Sequence, residues 1–284
     1  PAERLSYVVA ADRRTVAGLL RDAAVSAPAL AAAGHRFSSD TRLLAPGDQV
    51  RLAVRGVPWL PVRFPAVTVV DEVSPSRIST SLVRGPLHAL THLTELVDVP
   101  TGARVTDTLT WHAPVGLLGD PLVVRPLLRG VLTARAAGLT SAVAGVAGAR
   151  IVVATALIDG GRLLAAQRTR PEALAGRWEL PGGSVEPGED EADAVVRECK
   201  EELGADVEPC GRLGTDLPID AGLLRVHLAR LRTGSPMPEA LGHAAVRWVA
   251  SSGRRYLADY RTTWVDADRA VLHDLRAVLS PGLP

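Results

Sequence analysis

Two kinds of hydrophobic periodicity divide the chain. Over its first half, short alternations of apolar and polar residues recur at 5–10, 36–44, 49–54, 66–73, 76–83, 88–97 and 104–112, punctuated by Gly, Pro, Asp and Ser. Alternation with such punctuation predicts strands. Two short stretches of helical spacing, 13–23 and 27–33, interrupt them, and a longer one, 121–137, closes the half. A strand, two short helices, a run of strands and a long helix form an α+β plan, in which an antiparallel sheet buries one face on the last helix.

The pattern then changes. Residues 150–157 and 162–167 are apolar runs rich in β-formers, and Asp159-Gly160-Gly161 between them predicts a hairpin turn. Further strands are expected at 223–231 and 246–249, and a terminal helix at 266–278. The apolar, Gly-rich stretch 136–149, bounded by Arg135 and Arg150, is too short to cross a bilayer and reads as a linker or a helix end. The 284 residues suffice for two domains. Their expected extents are 1–140 and 149–284.

One segment does not read as packing. Gly182-Gly183-Ser184-Val185-Glu186-Pro187-Gly188-Glu189 runs on to Arg197-Glu198-Cys199-Lys200-Glu201-Glu202-Leu203-Gly204. Pro187-Gly188 signals a turn, Asp190 is a good N-cap, Glu191 and Asp193 suit the first turn, and Gly204 is a natural stop. A helix is therefore expected over about 191–203, with Ala192, Val195, Val196, Cys199 and Leu203 on its apolar face. Glu198, Glu201 and Glu202 form a second stripe at i, i+3 and i+4. Like charges so close are unfavourable unless a cation lies among them. Arg197 can pair with Glu189 or orient Glu198. The preceding glycines let the backbone approach a ligand and offer carbonyl oxygens. Hard oxygen donors suit magnesium or manganese, not zinc. The competing reading is an acidic surface helix laced by i,i+4 pairs.

Composition changes this picture little. A net charge of +1 gives no bulk attraction to polymeric nucleic acid or to a membrane, and 47% hydrophobic residues support real cores. The two cysteines, Cys199 and Cys210, make no metal-ligand pattern and suggest a reducing compartment. Pro1-Ala2-Glu3-Arg4 opens no signal peptide. A cytoplasmic location is the expectation.

The glutamate segment resembles the Nudix box, G-x5-E-x7-R-E-U-x-E-E-x-G-U with U a bulky apolar residue. Gly183, Glu189, Arg197, Glu198, Glu201, Glu202 and Gly204 fill its charged and glycine positions, and Cys199 and Ala205 its apolar ones. The resemblance implies an α/β/α sandwich and Mg²⁺ (or Mn²⁺) held by Glu198, Glu201, Glu202 and the Gly182 carbonyl. Arg197 and Glu189 would brace helix and loop. The words around the box, Leu163-Leu164-Ala165-Ala166-Gln167-Arg168 and Leu174-Ala175-Gly176-Arg177-Trp178-Glu179-Leu180-Pro181, resemble MutT-type triphosphate pyrophosphohydrolases, above all those acting on cytidine triphosphates and damaged nucleotides. By that likeness Arg168 and Gly183 meet the substrate, Arg168 at its phosphates, and Asp268 reads a base edge. Otherwise Arg168 is a surface arginine, Asp266 a helix N-cap and Asp268 a first-turn acid. Where many members carry an extra glutamate, this chain has Gly242-His243. The missing carboxylate is then absent or replaced by Glu239 or His243.

The implied reaction is hydrolysis of a nucleoside triphosphate, CTP- or dCTP-like or oxidised as in 8-oxo-dGTP, to a monophosphate and pyrophosphate. Alternatives are a nucleoside diphosphate derivative as substrate, or a protein that only senses a nucleotide.

The first half resembles the helix-grip fold of the START-like, or SRPBCC, superfamily. The order of elements carries this, with Arg84-Gly85-Pro86-Leu87 before a strand, the run 107–111, and Gly116-Leu117-Leu118-Gly119 entering the last helix. The resemblance implies a cavity between sheet and helix that holds an apolar small molecule. His88, His92, Trp111 and His112 lie on late strands and either line it or are ordinary core and surface residues. No nucleophile or metal cluster stands out in this half. A sensor, a scaffold and a dimerisation module all fit it, and no oligomeric state follows.

Overall fold

The computed structural model describes residues 1–56, 62–114, 121–250 and 264–279, with 121–123, 250 and 277–279 described by backbone alone. The Gly-Leu-Leu-Gly wording at 116–119 lies outside them. The chain divides into two compact units, Pro1–Ala147 and Gly148–Pro284.

The first unit holds a seven-stranded antiparallel sheet in the order β1-β7-β6-β5-β4-β3-β2. Its strands are β1 (Ala2–Val9), β2 (Arg36–Ser39), β3 (Gln49–Arg55), β4 (Arg63–Val73), β5 (Arg77–Arg84), β6 (Ala89–Val99) and β7 (Gly102–His112). Helices α1 (Arg13–Arg21) and α2 (Ala23–Ala32) follow β1, and α3 (Pro121–Val146) closes the unit. Asp12 caps α1 through Arg14 N and Thr15 N, and Asp22 caps α2 through Ala24 N. Helix α3 touches both β1 at one edge and β3 near the other, so the sheet curls around it. This is an α+β, helix-grip arrangement. The core joins Val16, Leu19 and Leu20 of α1 to Leu96, Ala103 and Val105 of the sheet and to Leu139 and Val143 of α3.

Helix α3 decides the two readings of 136–149 in favour of a helix end. It continues to Val146 because Leu139 and Val143, one turn apart, are buried in that core. Gly138 serves contact here rather than flexibility: a Cβ on it would meet the Ala29 Cβ of α2 at 2.9 Å.

In the second unit the sheet runs β10-β9-β8-β13-β12, with β11 paired to β8 and β14 to β9. The strands are β8 (Ile151–Asp159), β9 (Arg162–Gln167), β10 (Trp178–Glu179), β11 (Gly182–Ser184), β12 (Val207–Ile219), β13 (Gly222–Leu231) and β14 (Ala245–Ala250). Strands β8 and β13 are parallel and the other pairs antiparallel. Helix α4 (Glu191–Leu203) matches the expected span, with Asp190 accepting from Ala192 N and Gly204 left-handed at φ 66°. Its Ala194, Val195, Cys199 and Leu203 pack on Val153, Leu157 and Leu164. Ala194 takes the place expected of Ala192, which is half-buried. Ala205 is fully buried in the same cluster.

Consecutive residues 153–157 of β8 and 163–166 of β9 are all buried, so these strands are covered on both faces. Helix α5 (Asp266–Leu279) packs on β12. This is the layered mixed sheet expected. Strand β12 escaped the sequence reading. Its ladder is interrupted between Pro209 and Gly211 and between Leu213 and Leu217, and those bulges erase the alternation that marks a strand. No helix among the described residues is long and apolar enough to cross a membrane.

Candidate active site

Helix α4 presents its glutamates to strand β11, which carries no side chain at its first two positions. Gly182 pairs with Ala154 of β8, and a Cβ there would meet the Val153 carbonyl oxygen at 2.1 Å. Gly183 faces the helix: a Cβ on it would lie 2.2 Å from Glu198 Oε1. The Gly182 N–H donates to Glu202 Oε2 at 3.0 Å. Two of the three stripe carboxylates, Glu198 and Glu202, therefore converge on this glycine pair. Glu201 does not: its side chain is 60% exposed.

Arg197 binds the group together. Its Nε and one terminal nitrogen donate to Glu189 at 2.8 and 3.0 Å, its other terminal nitrogen to Glu198 Oε1 at 2.8 Å, and the Ser184 carbonyl accepts at 3.0 Å. That fork, with the Glu186 N–H on its second oxygen, holds the Glu189 carboxyl down at about 2. Helix α4 is anchored at both ends as well. Glu191 pairs with Arg225 and, at 3.0 Å, with His227 of β13, while Lys200 reaches Asp206 at 2.9 Å.

A second group lies where β10, β9 and β14 run side by side. Arg168 donates to Glu179 and, through Nε, to the Arg170 carbonyl at 2.9 Å. His243 Nε2 stands 3.3 Å from Glu179 Oε1. Its Nδ1 is buried without a hydrogen bond. Burial pushes the Glu202 carboxyl up to about 7; His243 and the Gly182 N–H oppose the rise, and Glu198 and Glu179 add to it. His243 is raised in turn, first by its hydrogen bond to Glu179 and against its own burial. Sequence reasoning missed Glu179, whose importance rests on the pairing of Glu179 with Ala166 and of Ala245 with Gln167. At the place of the absent carboxylate, Gly242 packs on Glu202, where a Cβ would touch Cγ at 3.4 Å. His243 stands in this group, whereas Glu239 is exposed.

Asp268 is buried in the first turn of α5, where its carboxylate accepts from Leu180 N at 3.4 Å. It is therefore not a solvated first-turn acid. Burial first, and the Glu179 charge second, push it up to about 8. A native value above the unfolded value of about 4 means that the folded chain keeps a proton the unfolded chain releases. Stability from this group therefore falls as pH rises from about 4 to about 8. Asp268→Asn, which mimics the neutral form, should match the parent chain in urea unfolding near pH 4 and exceed it by a margin that grows toward pH 8. A constant difference across that range would refute the assignment.

The donors fit a hard divalent cation: carboxylates at Glu198 and Glu202, a backbone carbonyl at Gly182, and no thiolate, since Cys199 is buried in the core. The Glu198 and Glu179 charges, which add to the rise that burial causes in Glu202, are what a cation would offset. In the present arrangement no three His, Cys, Asp or Glu side chains among the described residues group around one point. Glu198 is turned to Arg197, Glu202 to Gly182 N, and Glu201, though largely exposed, to Arg197 at 3.5 Å.

A glutamate-lined helix braced against a glycine strand, on a mixed sheet covered on both faces, defines the class. Residues 148–275 match the NUDIX domain, and the chain belongs to the NUDIX family through that region. It is 42% identical over 135 residues, 46% of this chain and 91% of the relative, to "Putative 8-oxo-dGTP diphosphatase 2" of Mycobacterium tuberculosis. With the CTP pyrophosphohydrolase of Escherichia coli it shares 49% identity over 53 residues, 19% of this chain and 39% of that protein. Among solved structures, a MutT NUDIX hydrolase from Burkholderia pseudomallei is similar at 31% identity and TM-score 0.36, covering 44% of this chain and 96% of that one.

Proposed function

We infer that this NUDIX hydrolase is a Mg²⁺-dependent nucleoside triphosphate pyrophosphohydrolase that releases a nucleoside monophosphate and pyrophosphate. The observation that carries the reading is the convergence of Glu198 and Glu202 on Gly182 and Gly183, with Arg197 bracing the group. The similarity to a relative named as an 8-oxo-dGTP diphosphatase supports a triphosphate substrate. A bound divalent cation would neutralise charge developing on the phosphoryl oxygens and acidify a water. Glu198, Glu202 and the Gly182 carbonyl would hold it, joined by Glu201 from the exposed end of the stripe.

The chain's own residues supply the rest. Arg197 and Glu189 keep loop and helix in register, so the helix that carries the carboxylates is fixed before substrate arrives. Glu202, largely buried and under the opposing charge of His243, would take the proton of the attacking water. Arg168, a fork already held by Glu179, would turn its guanidinium to the phosphates. Asp268, protonated at neutral pH, would offer an O–H as well as an acceptor to a base edge. That suits an oxidised purine as well as the cytosine amino group.

Initial rates of pyrophosphate release with Mg²⁺ across CTP, dCTP, 5-methyl-dCTP and 8-oxo-dGTP test the proposal. Monophosphate and pyrophosphate in equal amounts are expected. Orthophosphate as product, or nucleotide bound without any release, would overturn it; the second outcome would mark a nucleotide sensor.

A further inference from the structure

The first unit encloses a cavity of about 160 Å³ that the nucleotide chemistry does not use. Most of its wall is apolar, with Leu30, Val54, Phe64, Leu109, Leu128 and Leu132 among its residues. At one end the wall changes character. His92 and Arg135 line the cavity there and, with Arg21, Thr80 and Thr94, also line an adjoining space of about 30 Å³. Of the four aromatic residues the sequence singled out, only His92 lines the cavity. Trp111 is buried in the core beside it, and His88 and His112 are exposed.

One donor at the polar end lacks an acceptor. Arg135 Nε is buried and makes no hydrogen bond. The Asp107 carboxylate lies 3.9 Å from it. Asp107 is fully buried and already engaged: Thr94 Oγ1 donates to it at 2.7 Å, the Tyr7 hydroxyl at 3.4 Å, and His92 Nε2 stands at 2.8 Å. Burial alone would raise Asp107, but His92, Arg135 and Thr94 hold it down at about 2. Arg21, also buried, donates Nε to the Leu44 carbonyl at 2.9 Å. Arg135 Nε is thus a buried N–H with no acceptor, beside a carboxylate already engaged by other groups. Such a donor loses its hydration without compensation, and an incoming acceptor recovers it.

We propose that this unit binds a small apolar carboxylate, with its ring or short chain in the cavity and its carboxylate on Arg135 Nε. The volume sets the size. A dry cavity of about 150 Å³ accepts one benzene ring, so the ligand has one ring or a short alkyl chain. The charge sets the head group. An amine would meet the Arg135 guanidinium, and an alcohol would accept one hydrogen bond without meeting its charge. A carboxylate does both.

Calorimetric titration of the full chain with phenylacetate, 2-phenylethanol and 2-phenylethylamine tests this, because the three share one apolar skeleton. Phenylacetate should bind about tenfold or more tighter than the alcohol, the margin of a charge-assisted over a neutral hydrogen bond, and the amine should not bind. Arg135→Met keeps the apolar stem and should bring phenylacetate down to the alcohol's affinity while leaving the alcohol's own affinity in place. Should that variant fail to fold, the comparison on the parent chain still decides. Equal affinity for acid and alcohol, tighter binding of the amine, no binding of phenylacetate at millimolar concentration, or a preference that survives Arg135→Met would each overturn the proposal.

Discussion

Glu202→Gln should lower the rate of pyrophosphate release by roughly 10²–10⁴-fold, the range carried by one proton-transferring or charge-stabilising group, and leave the fold intact. The two effects separate because the amide keeps what the structure uses and loses what the chemistry needs. Its carbonyl oxygen can still accept from the Gly182 N–H, now held at 3.0 Å. Its size is unchanged, so the half-buried site keeps its packing. It has no charge to offer a cation and no basic oxygen for a proton. Rates with saturating Mg²⁺, read beside a thermal midpoint, test both parts. An unchanged rate would remove Glu202 from the site.

Gly183→Ala should cost about a hundredfold in turnover with little change in melting temperature, whereas Gly182→Ala should lower the melting temperature itself. The neighbours make the difference. The methyl at 183 meets the Glu198 carboxylate, with Oε1 at 2.2 Å, and this is the far end of a flexible side chain that can swing away. Swinging away takes a carboxylate from the site, and displacements of about 1 Å in a catalytic group cost on the order of 10²-fold. The methyl at 182 meets the Val153 carbonyl oxygen at 2.1 Å, which is backbone in a buried strand and cannot yield without breaking the pairing of β11 with β8. Melting curves and rates of both variants, side by side, are the measurement. If Gly183→Ala lost stability and kept its rate, Glu198 would not belong to the reaction.

Helix α4 was legible because its signals are local. Asp190, Pro187-Gly188 and Gly204 set its ends, and the i, i+3, i+4 stripe follows from those ends alone. The alternation of the first seven strands was legible for the same reason, and their order with α3 sufficed for the helix-grip plan. Strand β12 was hidden by the residues that bend it. The far end of α3 was hidden by its own composition, since an Ala- and Gly-rich run reads as helix or linker until Leu139 and Val143 find a core.

The candidate site shows the same division. The box lies within one segment, but Glu179, Arg168 and His243 meet only through strand pairing across β10, β9 and β14. No spacing in the sequence encodes that meeting. Asp268 was placed by resemblance, and its rise to about 8 came from burial and from the Glu179 charge, which only the folded chain supplies.

The ion pairs at the two ends of α4 have a mechanical meaning. Glu191 is tied to Arg225 and His227 on β13, and Lys200 to Asp206 just before β12, so the helix is a beam clamped at both supports. A clamped beam neither slides along its axis nor rolls about it. The acids along its length therefore share one rigid frame with the sheet, and their spacing is set by strands that carry no part of the chemistry. The substitutions this arrangement tolerates least include remote ones such as Arg225, where releasing a clamp would let every glutamate on the stripe move together.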